Sequence, residues 1–421
     1  MGRARAREGS VSGVHERVAV VGGGPAGLAV ARELASSGVP VLVLERDQVV
    51  GRPVQCSGLV TERTLRLAGI DAGLAWNAIR GALVHSPRGA TYEIGGDRVH
   101  AYVMDRSAFD RRLAAQSTAA GSELWTDARV LRLERAPGGV RLTVARGEAT
   151  VTLEAALVVG ADGPRSLVAD FLGLPAPREY LRARGADVRL PHCRTSDRVH
   201  LFFGRRYAPG FFAWAIPLGG ERFRIGWGSG QGQEPAGSLR ALTEDYPAIF
   251  GGLELLTQTG GLIPVGARAR TSGERGLVVG DAAGQAKATS GGGLYTALLS
   301  AREAARTIRE GLAGGDLSAA RLGAYDLAWR QQLGAELDSA MLLRRAFRAL
   351  SDTDMEWALR MLRLPGMRAV VDRHGDIDYP SQLATAVLRL APWLLRLLPN
   401  AGEEAAGETP APDWATSGSH D

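Results

Sequence analysis

The chain has 421 residues, 45% of them apolar and 23% charged, with a net charge of +5. This is a globular composition with room for two or three domains. The small, dispersed positive excess argues against nucleic acid and is compatible with an anionic lipid surface. Two cysteines, Cys56 and Cys193, provide neither a disulfide framework nor metal-type spacing, and the seven histidines show no ligand spacing. No metal is expected, and a reducing cytoplasm fits.

Residues 1–13 are basic and polar with no apolar run behind them, and read as a disordered tail rather than a signal peptide. Val18 to Val21 is then a short apolar run ending in glycine, as a buried parallel strand should. Gly22, Gly24 and Gly27 follow at G-x-G-x-x-G spacing. The first permits a tight turn, the second lets backbone approach a pyrophosphate, and the third lets helix pack on strand. Pro25 suits a first helical turn, whose free N–H groups suit phosphate. A second apolar run, Val41 to Leu44, ends at Glu45, 18 residues after Gly27 and placed to accept hydrogen bonds from ribose hydroxyls. Strand, glycine turn, helix, strand and acid together specify a dinucleotide site, without deciding between NAD and FAD.

Two later stretches decide it. "LVVGADGPRS" sets a strand ahead of Gly160, Asp162 and Gly163, and "GLVVGDAAGQAKATSGGGLYTAL" repeats the plan with Gly280 and Asp281. Over about its first 310 residues the sequence resembles flavoproteins of the p-hydroxybenzoate hydroxylase type. The resemblance implies FAD, with Asp281 at the ribityl and pyrophosphate hydroxyls. It places Gly291, Gly292 and Gly293 against the isoalloxazine ring and directs the helix from Leu294 at the flavin. It also implies Arg106 near the FAD phosphates or ribityl chain, Val130 as a backbone contact to adenine, and Arg46, Ser57 and Gly58 among the cofactor contacts. Leu294, Ala297, Leu298, Ala301, Ala305 and Ile308 form one apolar face of that helix.

"PVQCSG", Pro53 to Gly58, resembles the geranylgeranyl reductase family, whose members saturate isoprenoid double bonds. "GFFAWAIPLG" adds Phe212, Trp214 and Pro217 in a pattern close to that family's lipid-contact motif, with Ile216 where phenylalanine is usual and, elsewhere, Ala288 for a common proline. "HGDIDYPSQL", His374 to Leu383, is similar to a C-terminal segment of many members. The resemblance implies an FAD-dependent reductase of an isoprenoid chain on a lipid, quinone or chlorophyll-type substrate. Phe212, Trp214 and Pro217 are its expected substrate contacts, and Cys56 is the best side-chain candidate beside the ring, to tune the flavin or relay a proton. The electron donor is left open among NAD(P)H, ferredoxin and a quinone pool. Lys287, the one lysine, is a candidate salt-bridge residue near the flavin. Two rivals share the fold: an FAD monooxygenase and a non-catalytic prenyl-lipid carrier.

The expected fold is α/β. A Rossmann-type FAD domain spans 14–170 and 262–312, an antiparallel sheet over 171–261 roofs the flavin, and 313–400 is helical. Thr353 and Glu356 have capping-box spacing. Residues 380–400 are leucine-rich with Arg389 and Arg396 on one face, and suit either an interfacial helix on the inner membrane face or core packing. No run of about 18 uncharged apolar residues occurs, so no spanning helix is expected. Residues 401–421 read as a disordered acidic tail.

Overall fold

A computed structural model describes residues 17–230 and 238–390. Both expected tails, and residues 391–400 of the leucine-rich segment, lie outside these.

The central sheet has six strands in the order Ser272–Gly273, Gly276–Val278, Leu157–Gly160, Val18–Val21, Val41–Leu44, Glu123–Trp125. All neighbours are parallel except the outermost Ser272–Gly273 strand. Every residue of the Val18–Val21, Val41–Leu44 and Leu157–Gly160 strands is buried, which is why their sequences are unbroken apolar runs rather than alternating ones. The Val18–Val21 strand sends the chain to the Val41–Leu44 strand on one side and has the Leu157–Gly160 strand on the other. Its C-terminal end is therefore the switch point at which open α/β sheets hold ligands.

Helices cover one face of this sheet and a small β-meander covers the other. Pro25–Ala35, Arg106–Ala119 and Leu294–Ala313 bring Leu28, Leu34, Leu113, Leu298 and Ile308 into one core with Val18, Val20 and Val43. Ala128–Ala136, Gly139–Arg146 and Ala149–Ala155 form the meander, whose Leu142 and Val144 pack on Ala19, Val21 and Leu42. The alternation of Ala19 and Val21 against Val18 and Val20 is the period of two that a double-covered strand needs.

A second sheet stands over the switch point. Its order is Glu254–Val265, Glu179–Arg189, Arg222–Ser229, Ala213–Gly219, Arg198–Phe202, Gly81–His85, Thr91–Gly95. It differs from expectation in two ways. It takes two strands from before residue 100, and Arg198–Phe202 pairs parallel with Gly81–His85, so the sheet is mixed rather than antiparallel. Hairpin reasoning finds neighbours close in sequence, and this pairing spans more than a hundred residues. A third, three-stranded sheet joins Leu59–Val60 and Ala75–Ile79 through Ala101–Met104.

The C-terminal region begins with a 31-residue helix, Ala319–Ala349. Its Leu322, Tyr325, Trp329 and Leu333 pack on the core under the Leu294–Ala313 helix. The capping box of the next helix, Asp352–Arg360, is Ser351 with Asp354, not Thr353 with Glu356. Glu356 is instead buried, beside Arg360 and the Arg88 amide. Pro380–Leu390 is a helix whose start is tied to the body by Ser381 bonding to Glu336. No described helix is long and apolar enough to cross a membrane.

Candidate functional site

The glycine turn is built by close contact. A Cβ on Gly22, whose φ is +104°, would lie 2.3 Å from the Ala161 carbonyl oxygen, and one on Gly27 would lie 2.1 Å from the Gly22 carbonyl oxygen. A Cβ on Gly24 would meet nothing within 4 Å. Gly22 and Gly27 thus serve turn and packing, while Gly24 leaves open space at the start of the Pro25–Ala35 helix. That helix has no side-chain cap, so its first N–H groups are free for an anion. Glu45 ends the second strand and accepts from the Gly23 amide at 2.6 Å and the Asp47 amide at 2.8 Å, standing at the rim of this space. Arg46 points outward, with its side chain 64% exposed beside Asp47. Val130 is half-buried on the outer strand of the meander, two residues after Ala128, whose amide donates to the Glu45 carbonyl at 2.8 Å.

Along the cleft, Asp281 follows the Gly276–Val278 strand in a short 3-10 turn. A Cβ on Gly280 would touch Ala26 at 3.0 Å, which sets Asp281 beside the first turn of the Pro25–Ala35 helix. The Asp281 side chain is open to solvent on one side while protein atoms crowd the others. That crowding pushes its carboxyl up to about 6, and Arg106 nearby pulls it back. Arg106 grips Asp110 with bonds of 2.9 and 3.2 Å, its charge reaches Cys56, and its buried Nε has no hydrogen-bond partner. Asp162, the middle of the three glycine-acid signals, has a local job. It accepts from the Ser166 hydroxyl at 2.5 Å and the Val168 amide at 3.2 Å, at the start of the Leu167–Phe171 helix.

The three consecutive glycines are crowded by protein. Gly291 has φ +70° and its Cβ would lie 3.0 Å from Ile263. A Cβ on Gly292 would lie 3.3 Å from the Ser290 hydroxyl, and one on Gly293 would lie 3.3 Å from Asp281 Oδ1. Side chains here would also fill the cleft beside Asp281. Gly293 starts the 20-residue Leu294–Ala313 helix without a side-chain cap, leaving a second set of N–H groups free at the same cleft, with Leu294 half-buried behind them.

Cys56, Ser57 and Gly58 are carried to Arg106 by a strand pairing. The Met104 amide donates to the Gly58 carbonyl at 2.9 Å, and Gly58 has φ +78° at a place where a Cβ would lie 2.6 Å from the Met104 carbonyl oxygen. Cys56 Sγ, half-buried, accepts from the Gly58 amide at 3.5 Å, and the Ser57 hydroxyl accepts from the Leu59 amide at 3.4 Å. Sequence reasoning missed what holds this segment. Arg224 donates to the Cys56 carbonyl at 3.0 Å and is clamped by Asp187 at 2.6 and 2.9 Å. Asp187 and Arg224 are a cross-strand pair of the roof, opposite each other in register. Charged residues inside a strand pattern were the only available signal.

Ile216 pairs with Arg224 and Trp214 with Gly226, so these side chains share the roof face that meets the Cys56 segment. Trp214 lies over Gly226, where a Cβ would come within 2.3 Å of its ring. Phe212 is 5.8 Å from Trp214 and stacks on Phe211 at 4.4 Å. Phe211 belongs to one apolar cluster with Val265, Ala286 and Ala288, and Phe212 and Trp214 pack against it. The roof aromatics therefore meet the loop that leads into Gly291–Gly293. Pro217 is not brought to them. By alternation it faces the other side of the sheet with Ala213 and Ala215, opposite Phe223.

Asp281 thus links the start of the Pro25–Ala35 helix, through the Gly280–Ala26 contact, to Gly293, and the charge of Arg106 reaches both Asp281 and Cys56. Open space, two uncapped helix starts, and a guanidinium nitrogen and a carboxylate without hydrogen-bond partners among the described residues fit a long dinucleotide with a hydroxylated linker.

The FAD binding domain family matches residues 15–333. A digeranylgeranylglycerophospholipid reductase of Methanopyrus kandleri is 32% identical over 351 residues, covering 80% of this chain and 88% of its own. One of Methanosarcina mazei is 30% identical over 403 residues, covering 90% of this chain and 95% of its own. Among solved structures, a geranylgeranyl bacteriochlorophyll reductase-like protein of Thermoplasma acidophilum superposes with a TM-score of 0.80 at 23% identity, over 91% of this chain and all of its own. The flavin-dependent halogenase CmlS superposes with a TM-score of 0.63 at 19% identity, over 91% of this chain and 78% of its own.

Proposed function

Because the chain belongs to the FAD binding domain family, and its relatives include reductases of prenylated glycerophospholipids, we propose that it is an FAD-dependent reductase saturating double bonds of an isoprenoid chain. One observation carries the reading. The wall facing the glycine loop is aromatic and aliphatic, with Phe212, Trp214, Ile263, Ala286 and Ala288 in contact, and this suits an alkene rather than a polar substrate.

Bound and reduced, FAD supplies a hydride for one alkene carbon. The chain's own residues do the rest. Gly24 and the free N–H groups of the Pro25 helix hold the pyrophosphate, and Glu45 takes the adenosine ribose. Asp281 accepts from the linker hydroxyls. Phe212 and Trp214 flatten the prenyl chain against the cleft and keep water away, which orients an unactivated bond that would otherwise react slowly. Cys56 is our candidate to hand a proton to the second alkene carbon. The Arg224–Asp187 clamp on its carbonyl fixes where that thiol sits.

The test is anaerobic single turnover. Photoreduced enzyme mixed with a geranylgeranylated glycerophospholipid is expected to regain the oxidised flavin spectrum while product mass rises by two hydrogens per bond. Reoxidation that requires oxygen and adds an oxygen atom would refute the reductase reading in favour of a monooxygenase. A protein purified without flavin and inert in both assays would favour a carrier.

A further inference from the structure

The segment Asp376–Tyr379 takes no part in the reading above, yet it reaches the glycine loop through a buried ion pair. Lys287 is 2% exposed and Asp378 3%. Lys287 Nζ donates to the Ile377 carbonyl at 2.7 Å and to Asp378 Oδ1 at 3.2 Å. The other oxygen of Asp378 accepts from the Thr61 hydroxyl at 2.5 Å and from Arg63 at 3.3 Å. Arg63 also binds Asp376 at 3.1 and 3.3 Å. Two cations and two anions therefore close one cluster, and Glu336 is the further acid whose field reaches Lys287. Burial lowers the pKa of Lys287, and Asp378 beside it holds the charged form.

This cluster lies directly behind the glycine loop. The Lys287 amide donates to the Gly292 carbonyl at 3.1 Å, and the Gly291 amide donates to the Lys287 carbonyl at 2.8 Å. A Cβ on Gly292 would lie 3.4 Å from Lys287 Cε and 3.8 Å from its Nζ. The ammonium is thus separated from the cleft by little more than the Gly292 backbone. Thr61, the other anchor, ends the Gly51–Thr61 segment that carries Cys56. Three stretches remote in sequence are locked behind the Gly291–Gly293 turn, where the placement proposed above puts the ring end of the dinucleotide.

We propose that Lys287 and Asp378 are positioning residues for the flavin: the pair sets the height of the Gly291–Gly293 turn, and its charge balance sets the potential at which the ring is reduced. Inside a low-dielectric region a buried charge deprived of its partner acts strongly on its surroundings. Lys287→Met leaves the cluster with excess negative charge, which disfavours reduced flavin. Asp378→Asn leaves excess positive charge, which favours it. The double variant restores neutrality.

The inference rests on the flavin placement proposed above, and its test is separable from that placement. Midpoint potentials of FAD-loaded protein are measured by dye equilibration, and FAD affinity by titration of apoprotein. Lys287→Met is expected to lower the potential, Asp378→Asn to raise it, and Lys287→Met/Asp378→Asn to lie between them. Each single variant is expected to bind FAD about tenfold more weakly, a loss of about one hydrogen bond to a charged group. Thr61→Val, which removes a bond to Asp378 without changing charge, is expected to weaken FAD binding and leave the potential alone. Should Lys287→Met fail to fold, Asp378→Asn and Thr61→Val still decide the matter. Shifts of the same sign in both charge variants, or an unmoved potential in Asp378→Asn, overturn the proposal. Retention of FAD by Asp281→Ala would overturn the placement instead.

Discussion

Asp281 offers a prediction whose size follows from the cleft. Burial among protein atoms pushes its carboxyl up to about 6 against the pull of Arg106, and no donor among the described residues reaches its side chain. FAD hydroxyls donating to it would favour the ionised form and return it toward the ordinary value of about 4. The sign follows from linkage. Bound protein releases a proton that free protein holds between those two values, so affinity rises with pH across the window and levels off above about 6. The open face of the side chain screens part of this difference, so affinity at pH 5 should lie below that at pH 7.5 by at most about tenfold. Asp281→Asn should remove the slope. Asp281→Ala should also lose hydrogen bonds to a charged group, about 1.5–3 kcal/mol or roughly ten- to 150-fold in affinity. The assay is quenching of FAD fluorescence by apoprotein from pH 5 to 7.5. A flat wild-type profile, or the same slope in Asp281→Asn, would refute the assignment.

Two further outcomes are expected. Trp214→Ala should leave the flavin spectrum unchanged but slow anaerobic reoxidation by prenyl lipid, since misplacement by about 1 Å can cost on the order of a hundredfold. Cys56→Ala should slow the same step while lipid binding survives, and wild-type rates in both variants would remove the reacting face from this wall. The second outcome concerns stability. His85 Nε2 and His200 Nδ1 are 3.0 Å apart and buried, and burial pushes the two down to about 3 and about 4, with His200 adding repulsion at His85. Unfolded histidine binds a proton near pH 6.5 and these do not. Their contribution is therefore complete above pH 6.5 and drains as pH falls toward 4. Urea unfolding should show that loss, and a His85→Gln/His200→Asn variant should show less of it; equal pH slopes would contradict the argument.

The glycine turn and the strands of the candidate cleft were legible because their constraints are local. Gly22, Gly27 and Gly58 answer to steric contacts that any residue with a Cβ would violate, and the buried strands around them can only be apolar runs. Periodicity likewise exposes the buried face of the Leu294–Ala313 helix, where Ala297, Leu298, Ala301, Ala305 and Ile308 all lie inside. Resemblance brought Cys56 and Trp214 to attention, but not what fixes them. Arg224 and Asp187 are one arginine among 49 and one acid among 45, and only strand register sets them opposite each other under the Cys56 carbonyl. Lys287 was conspicuous as the single lysine, while its partner Asp378 stands 91 residues away and no spacing rule connects them. Pro217 shows the reverse case: its neighbours in sequence, Trp214 and Ile216, share the roof face that carries Arg224, and the pleat turns it away. Short-range sterics and hydrophobic period are written in adjacent residues. Long-range ion pairs and the choice of sheet face arise only when distant segments come together, and the charge network behind the Gly291–Gly293 turn belongs to that second kind.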